Sequence, residues 1–74
     1  MKKPQKPTHA RLGRRLADAR KATGRTQRDT AARAGIHAVY LNRLEHGRNE
    51  PGRDVLRRLA KVLRVPVTEL EKLL

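Results

Sequence analysis

Cysteine, serine, phenylalanine and tryptophan are absent from this chain of 74 residues, and tyrosine and methionine occur once each. Without cysteine no disulfide can staple the fold and no thiolate is available for catalysis or metal binding, a composition that suits a reducing cytoplasm. An enzyme is not expected. The chain has no cysteine or serine nucleophile, no glycine loop that would cradle a phosphate and no paired carboxylates in a plausible pocket. His9, His37 and His46 have no partners at metal-ligand spacing, so neither a metal nor a cofactor is expected. No apolar run approaches the roughly 20 residues needed to span a bilayer, which excludes a membrane helix. The N-terminus is basic but lacks a following apolar segment, so it does not read as a secretory signal.

Acidic residues are also scarce. Nineteen Lys and Arg face seven Asp and Glu, a net charge of +12. A polyanion is the natural partner for such an excess, although arginine-rich composition alone also produces solvated charge. The excess is uneven. Residues 1–25 carry nine basic side chains and one acidic, whereas residues 26–50 carry four and three. The near absence of aromatic side chains argues against stacking on single-stranded bases, and so against a general RNA binder.

What remains suits one small α-helical domain with a core of Leu, Val, Ile and Ala. Residues 1–7, with two prolines and three lysines, read as a flexible basic arm; residues 8–74 form the domain. The arm either follows phosphates or merely solubilises the chain. A first helix is expected from about His9 to Thr23, with Thr8 as its cap and Leu12, Leu16, Ala19 and Thr23 on one face. Thr26 can cap a second helix, about Gln27 to Ala34, by accepting a bond from a free backbone N–H. Asp29 in its first turn favours the positive helix end. Thr30, Ala31 and Ala34 give this helix a small inward face. Gly35 makes the turn to a third helix from about Ala38 to Glu45 or His46, with Leu41 and Leu44 inward and Gly47 closing it. A fourth helix, Arg53 to Leu63, is the most apolar. A fifth, Val67 to Leu73, follows Pro66, with Val65 and Leu70 placed as a hydrophobic staple.

Two helices joined by a glycine turn, here Thr26 to Gly47, form a helix-turn-helix unit. The order and spacing of Thr26-Gln27, Ala31, Ala34-Gly35-Ile36, Leu41, Arg43-Leu44-Glu45, Gly47, Pro51 and Leu59-Ala60 with Leu63 resemble the Cro/repressor-type, or XRE-like, helix-turn-helix family. The resemblance spans about Leu12 to Leu70. It implies an all-α, compact five-helix bundle in which the third helix reads the DNA major groove.

The resemblance also assigns roles. Gln27 matches a glutamine that contacts a phosphate, at a helix start that attracts anions. His37, Ala38, Val39, Asn42 and Arg43 match positions that face DNA. Arg43 can donate two bonds to guanine, Asn42 can read adenine or hold a phosphate, and Ala38 and Val39 can only meet a thymine methyl or provide fit. Tyr40 either donates to a phosphate or covers the helix flank. His37 replaces the usual Ser or Thr cap, which histidine substitutes poorly. Arg20 and Glu45 match an ion pair joining the first and third helices. Two residues depart from the pattern. Thr30 replaces a leucine, which predicts looser or rearranged packing of the second helix. Arg53 replaces an apolar residue and, with Arg48 and Asn49, becomes a candidate phosphate contact. Arg14, Arg15 and Lys21 are weaker candidates.

The function so implied is a sequence-specific regulator of double-stranded DNA, a repressor that binds a palindromic operator as a homodimer. It would be bacterial or phage-encoded, cytoplasmic and associated with the nucleoid, with no room for a ligand-sensing domain. The alternative is an antitoxin or adaptor acting mainly through a protein partner, a toxin or co-regulator, with Leu70, Leu73 and Leu74 as the apolar surface.

Overall fold

In a computed structural model, which describes residues 8–74, five helices follow one another and no strand is present among the described residues. They are α1 (Ala10–Thr23), α2 (Gln27–Ala34), α3 (Ala38–Glu45), α4 (Arg53–Leu63) and α5 (Val67–Glu71). No helix among the described residues is long and apolar enough to cross a membrane. The basic arm expected at residues 1–7 lies outside the described residues.

Local chemistry sets the boundaries of α2. The Thr26 hydroxyl accepts the backbone N–H of Asp29 at 3.0 Å. Asp29 in turn accepts from Arg33 one turn on at 3.2 Å, an exposed pair that contributes only a few tenths of a kcal/mol, about 0.3–0.5. Gly24 and Gly35 close α1 and α2 in the left-handed conformation. Arg64 closes α4 in the same conformation, at φ 59°, without being glycine. A side chain at such a position costs roughly 1–2 kcal/mol.

Two helix ends differ from the sequence expectation. Thr8 does not cap the first helix, which starts at Ala10 with His9 in the cap position and no side-chain cap bond. The backbone N–H of His9 instead donates to the carbonyl of Gly47 at 3.1 Å, so a contact distant in sequence sets the start of α1. The fifth helix ends at Glu71 rather than Leu73. The N–H of Leu73 bonds to the Leu70 carbonyl, tightening the last residues into a turn.

Leu12, Leu16 and Ala19 of α1, Leu41 and Leu44 of α3, Leu56, Leu59, Ala60 and Leu63 of α4 and Leu70 of α5 are buried together. Each fully buried leucine contributes about 1.5–3 kcal/mol from removal of its apolar surface from water. Val55 and Val62 of α4 are only half-buried at the margin of this core. The small face of α2, Thr30, Ala31 and Ala34, is buried as well. Thr30, which stands where a leucine was expected, is 0% exposed. Its hydroxyl, however, has no hydrogen-bond partner among the described residues.

Candidate nucleic-acid interface

The inner side of α3 carries Leu41 and Leu44, each 1% exposed, and these fix which side faces outward. Val39, Asn42 and Arg43 fall on the exposed side, and Ala38 and Tyr40 are half-buried beside them. The helix is anchored from behind by α1. A methyl group at Gly13 would stand 2.5 Å from the Glu45 carbonyl oxygen and 2.6 Å from that of Leu44, so the two backbones touch where only glycine fits. Gly47, at φ +71°, is as tightly placed: a methyl there would stand 2.7 Å from the backbone of Ala10. The role of Gly13 was not anticipated from the sequence. Its one signal was a glycine interrupting a helical pattern, which marks close backbone approach.

A chain of side-chain hydrogen bonds runs from this anchor to the outer face. Arg20 donates to both carboxylate oxygens of Glu45, from Nε at 2.7 Å and from Nη2 at 3.1 Å. Its Nη1 donates to the Arg25 carbonyl at 3.0 Å. The Glu45 side chain is 4% exposed and that of Arg20 14%. The hydrogen bond to Glu45 holds the Arg20 guanidinium above its usual range, although burial acts in the opposite direction. Gln27 Nε2 donates to Glu45 Oε1 at 2.9 Å, and Asn42 Nδ2 donates to Gln27 Oε1 at 3.2 Å. A carboxylate only accepts, so Glu45 fixes which end of the Gln27 amide turns toward it. The Gln27 carbonyl is thereby left to receive Asn42. One N–H of Gln27 and one of Asn42 remain outside these bonds. That Gln27 and Asn42 are bonded to each other was not legible in the sequence, where they are 15 positions apart.

The other candidates lie on α3, in the loop after it and at the start of α4. His37 occupies its cap position with no side-chain bond, and no acidic residue stands in its first turn. The free N–H groups of that turn therefore keep their attraction for an anion. His37, Val39, Tyr40, Arg43 and Asn49 line one shallow concavity of about 300 Å³. The Arg48 N–H donates to the Arg43 carbonyl at 3.0 Å, which ties the following loop to the end of α3 while the Arg48 side chain is exposed. Arg53 is exposed at the first position of α4, after an uncapped Gly52. A cation is unfavourable at the positive end of a helix, so Arg53 does not serve helix stability.

Acidic partners reach only some of the arginines among the described residues. Arg15 pairs with Glu69, Arg20 with Glu45, Arg25 and Arg33 with Asp29, and Arg58 with Asp54. Arg43, Arg48 and Arg53 have no such partner within 4 Å among the described residues, and neither have Arg11, Arg14, Arg28, Arg57 and Arg64. Arg15 is thus engaged with α5, while Arg14 and Lys21 are exposed beside a second groove that includes Asp18 and His46. No group of three or more His, Cys, Asp or Glu able to hold a metal occurs among the described residues.

Comparison with known proteins agrees with this architecture. Residues 11–73 match a family described as helix-turn-helix domain. The restriction-modification controller protein C.AhdI from Aeromonas hydrophila superimposes with a TM-score of 0.79 at 27% identity, covering 84% of this chain and 90% of its own. The clp gene regulator ClgR from C. glutamicum superimposes with a TM-score of 0.78 at 27% identity, covering 96% of this chain and 90% of its own. No curated protein sequence matches the chain.

Proposed function

We propose, from the premise that the chain belongs to the helix-turn-helix domain family, that it is a sequence-specific regulator that places α3 in the major groove of double-stranded DNA. It represses by occupying a palindromic operator as a homodimer. The observation that carries this reading is the outward side of α3: Asn42 and Arg43 are exposed there, Arg43 has no acidic side chain within 4 Å among the described residues, and the uncapped first turn keeps its free N–H groups. Regulators with the same fold, a restriction-modification controller and a clp gene regulator, support it.

In this reading Arg43 donates two bonds to a guanine, and Asn42, held by Gln27, meets a neighbouring base or phosphate. Gln27 offers its remaining N–H to a phosphate from the start of α2, with Arg48, Asn49, Arg53 and the first turn of α3 at His37 as further backbone contacts. Tyr40 covers the flank of α3 and offers its hydroxyl to a phosphate. Ala38 and Val39 supply apolar contact.

Selection of bound sites from random duplex DNA is the direct test. A preferred site is expected. Arg43→Ala should then weaken its binding by about 1–3 kcal/mol and relax preference at one base pair per half-site. Failure to enrich any site would refute sequence-specific reading, and an unchanged preference in the variant would remove Arg43 from it.

A further inference from the structure

We infer that Val39 and Arg43 together read a pyrimidine C5 methyl group beside a guanine, so that the chain accepts 5-methylcytosine where it accepts thymine. This rests on the placement of α3 in the major groove proposed above. Val39 is 67% exposed, whereas Leu41 and Leu44 of the same helix are 1% exposed. Val39 therefore does little for the core, and exposing an isopropyl group of this size is unfavourable in the free protein. It stands four residues before Arg43, on the same side of α3, and the two share one concavity with His37, Tyr40 and Asn49.

The chemistry of the pair restricts what it can recognise. Arg43 has the planar fork that matches guanine O6 and N7. Valine has no polar atom, so the one base feature it can favour in the major groove is the C5 methyl group. Its χ1 is almost fixed in a helix, which makes it a rigid apolar patch. Four residues of helix rise about 6 Å, close to two base-pair steps of about 3.4 Å. The methyl group is thus expected one or two base pairs from the guanine. Thymine and 5-methylcytosine carry that methyl at the same place and differ at the O4 or N4 edge, where valine offers neither donor nor acceptor.

The test uses the preferred duplex with single-base replacements at the pyrimidine. Deoxyuridine in place of thymidine removes only the methyl group and should weaken binding about fourfold, the equivalent of about 0.8 kcal/mol for one buried carbon. With guanine opposite, 5-methylcytosine should bind about fourfold more tightly than cytosine. Val39→Ser, which replaces the apolar side chain by a polar one of similar helix propensity, should bind the thymine and uracil duplexes alike; because Val39 is exposed, this variant should keep the wild-type melting temperature. A wild-type protein indifferent to the methyl group in both comparisons, or methyl sensitivity retained in Val39→Ser, overturns the inference. If Arg43 still selects guanine in that case, the DNA-reading function stands and only the methyl contact falls. If no preferred site exists, both fall. Sensitivity to thymine but not to 5-methylcytosine would refute the acceptance of methylated cytosine.

Discussion

Thr30 puts a hydroxyl in the core with no partner among the described residues, and an unpaired buried polar group costs about 1–3 kcal/mol. Thr30→Val keeps the shape and removes the oxygen. It should stabilise the protein by about 1 kcal/mol in urea unfolding, with no loss of DNA affinity. A destabilised variant would mean that the hydroxyl is bonded after all. The burial of Thr30 was legible from its place on the small face of α2; the absence of a partner was not, because it depends on the surrounding packing. Arg43 shows the same division. Its exposed position follows from the alternation with Leu41 and Leu44, but its lack of a carboxylate partner among the described residues emerges only from where the fold places the acidic side chains.

At the scale of elements, the placement of α3 depends on α1. Gly13→Ala would favour the isolated helix by about 1 kcal/mol, yet its methyl group would meet two backbone carbonyls of α3. Overpacking should dominate. A net destabilisation of about 1–3 kcal/mol is expected in thermal melts, and a more stable variant would show that the helices can separate without loss. The Arg20–Glu45 bond is the second tie. A double-mutant cycle of Arg20→Ala and Glu45→Ala should give a coupling energy of at least about 0.5 kcal/mol in stability. Additive effects would exclude a shared interaction. The boundaries of α2 and α4 could be read from Thr26, Gly35, Arg53 and the apolar run before Arg64. The start of α1 could not, since it depends on Gly47. Nor could the end of α5, where Leu73 continues the apolar spacing but the backbone tightens at Leu70.

At the scale of the whole molecule, one eight-residue helix reaches too few base pairs to select a site among the competing DNA of a genome. Two-fold pairing would double the contacts and place half-sites about 34–36 Å apart. The C-terminal end is the proposed contact. Leu70 is 0% exposed and belongs to the monomer's core, Val67 and Leu73 pack partly against that core, and Leu74 is 51% exposed. Leu74→Glu should leave the fold intact and abolish cooperative binding, and light scattering of the wild-type complex should find two chains per operator. One chain per operator at undiminished affinity would refute the dimer. The bond between Asn42 and Gln27 also bears on how such a protein can diversify. Ala38, Val39 and Arg43 can be exchanged one at a time because no side-chain hydrogen bond inside the described fold depends on them. Replacing Asn42 alone would hand the Gln27 carbonyl to water and loosen the orientation of the Gln27 amide. In a diverging lineage, new target sites would therefore arise most readily through the first three positions, whereas changes at residues 27 and 42 would be coupled.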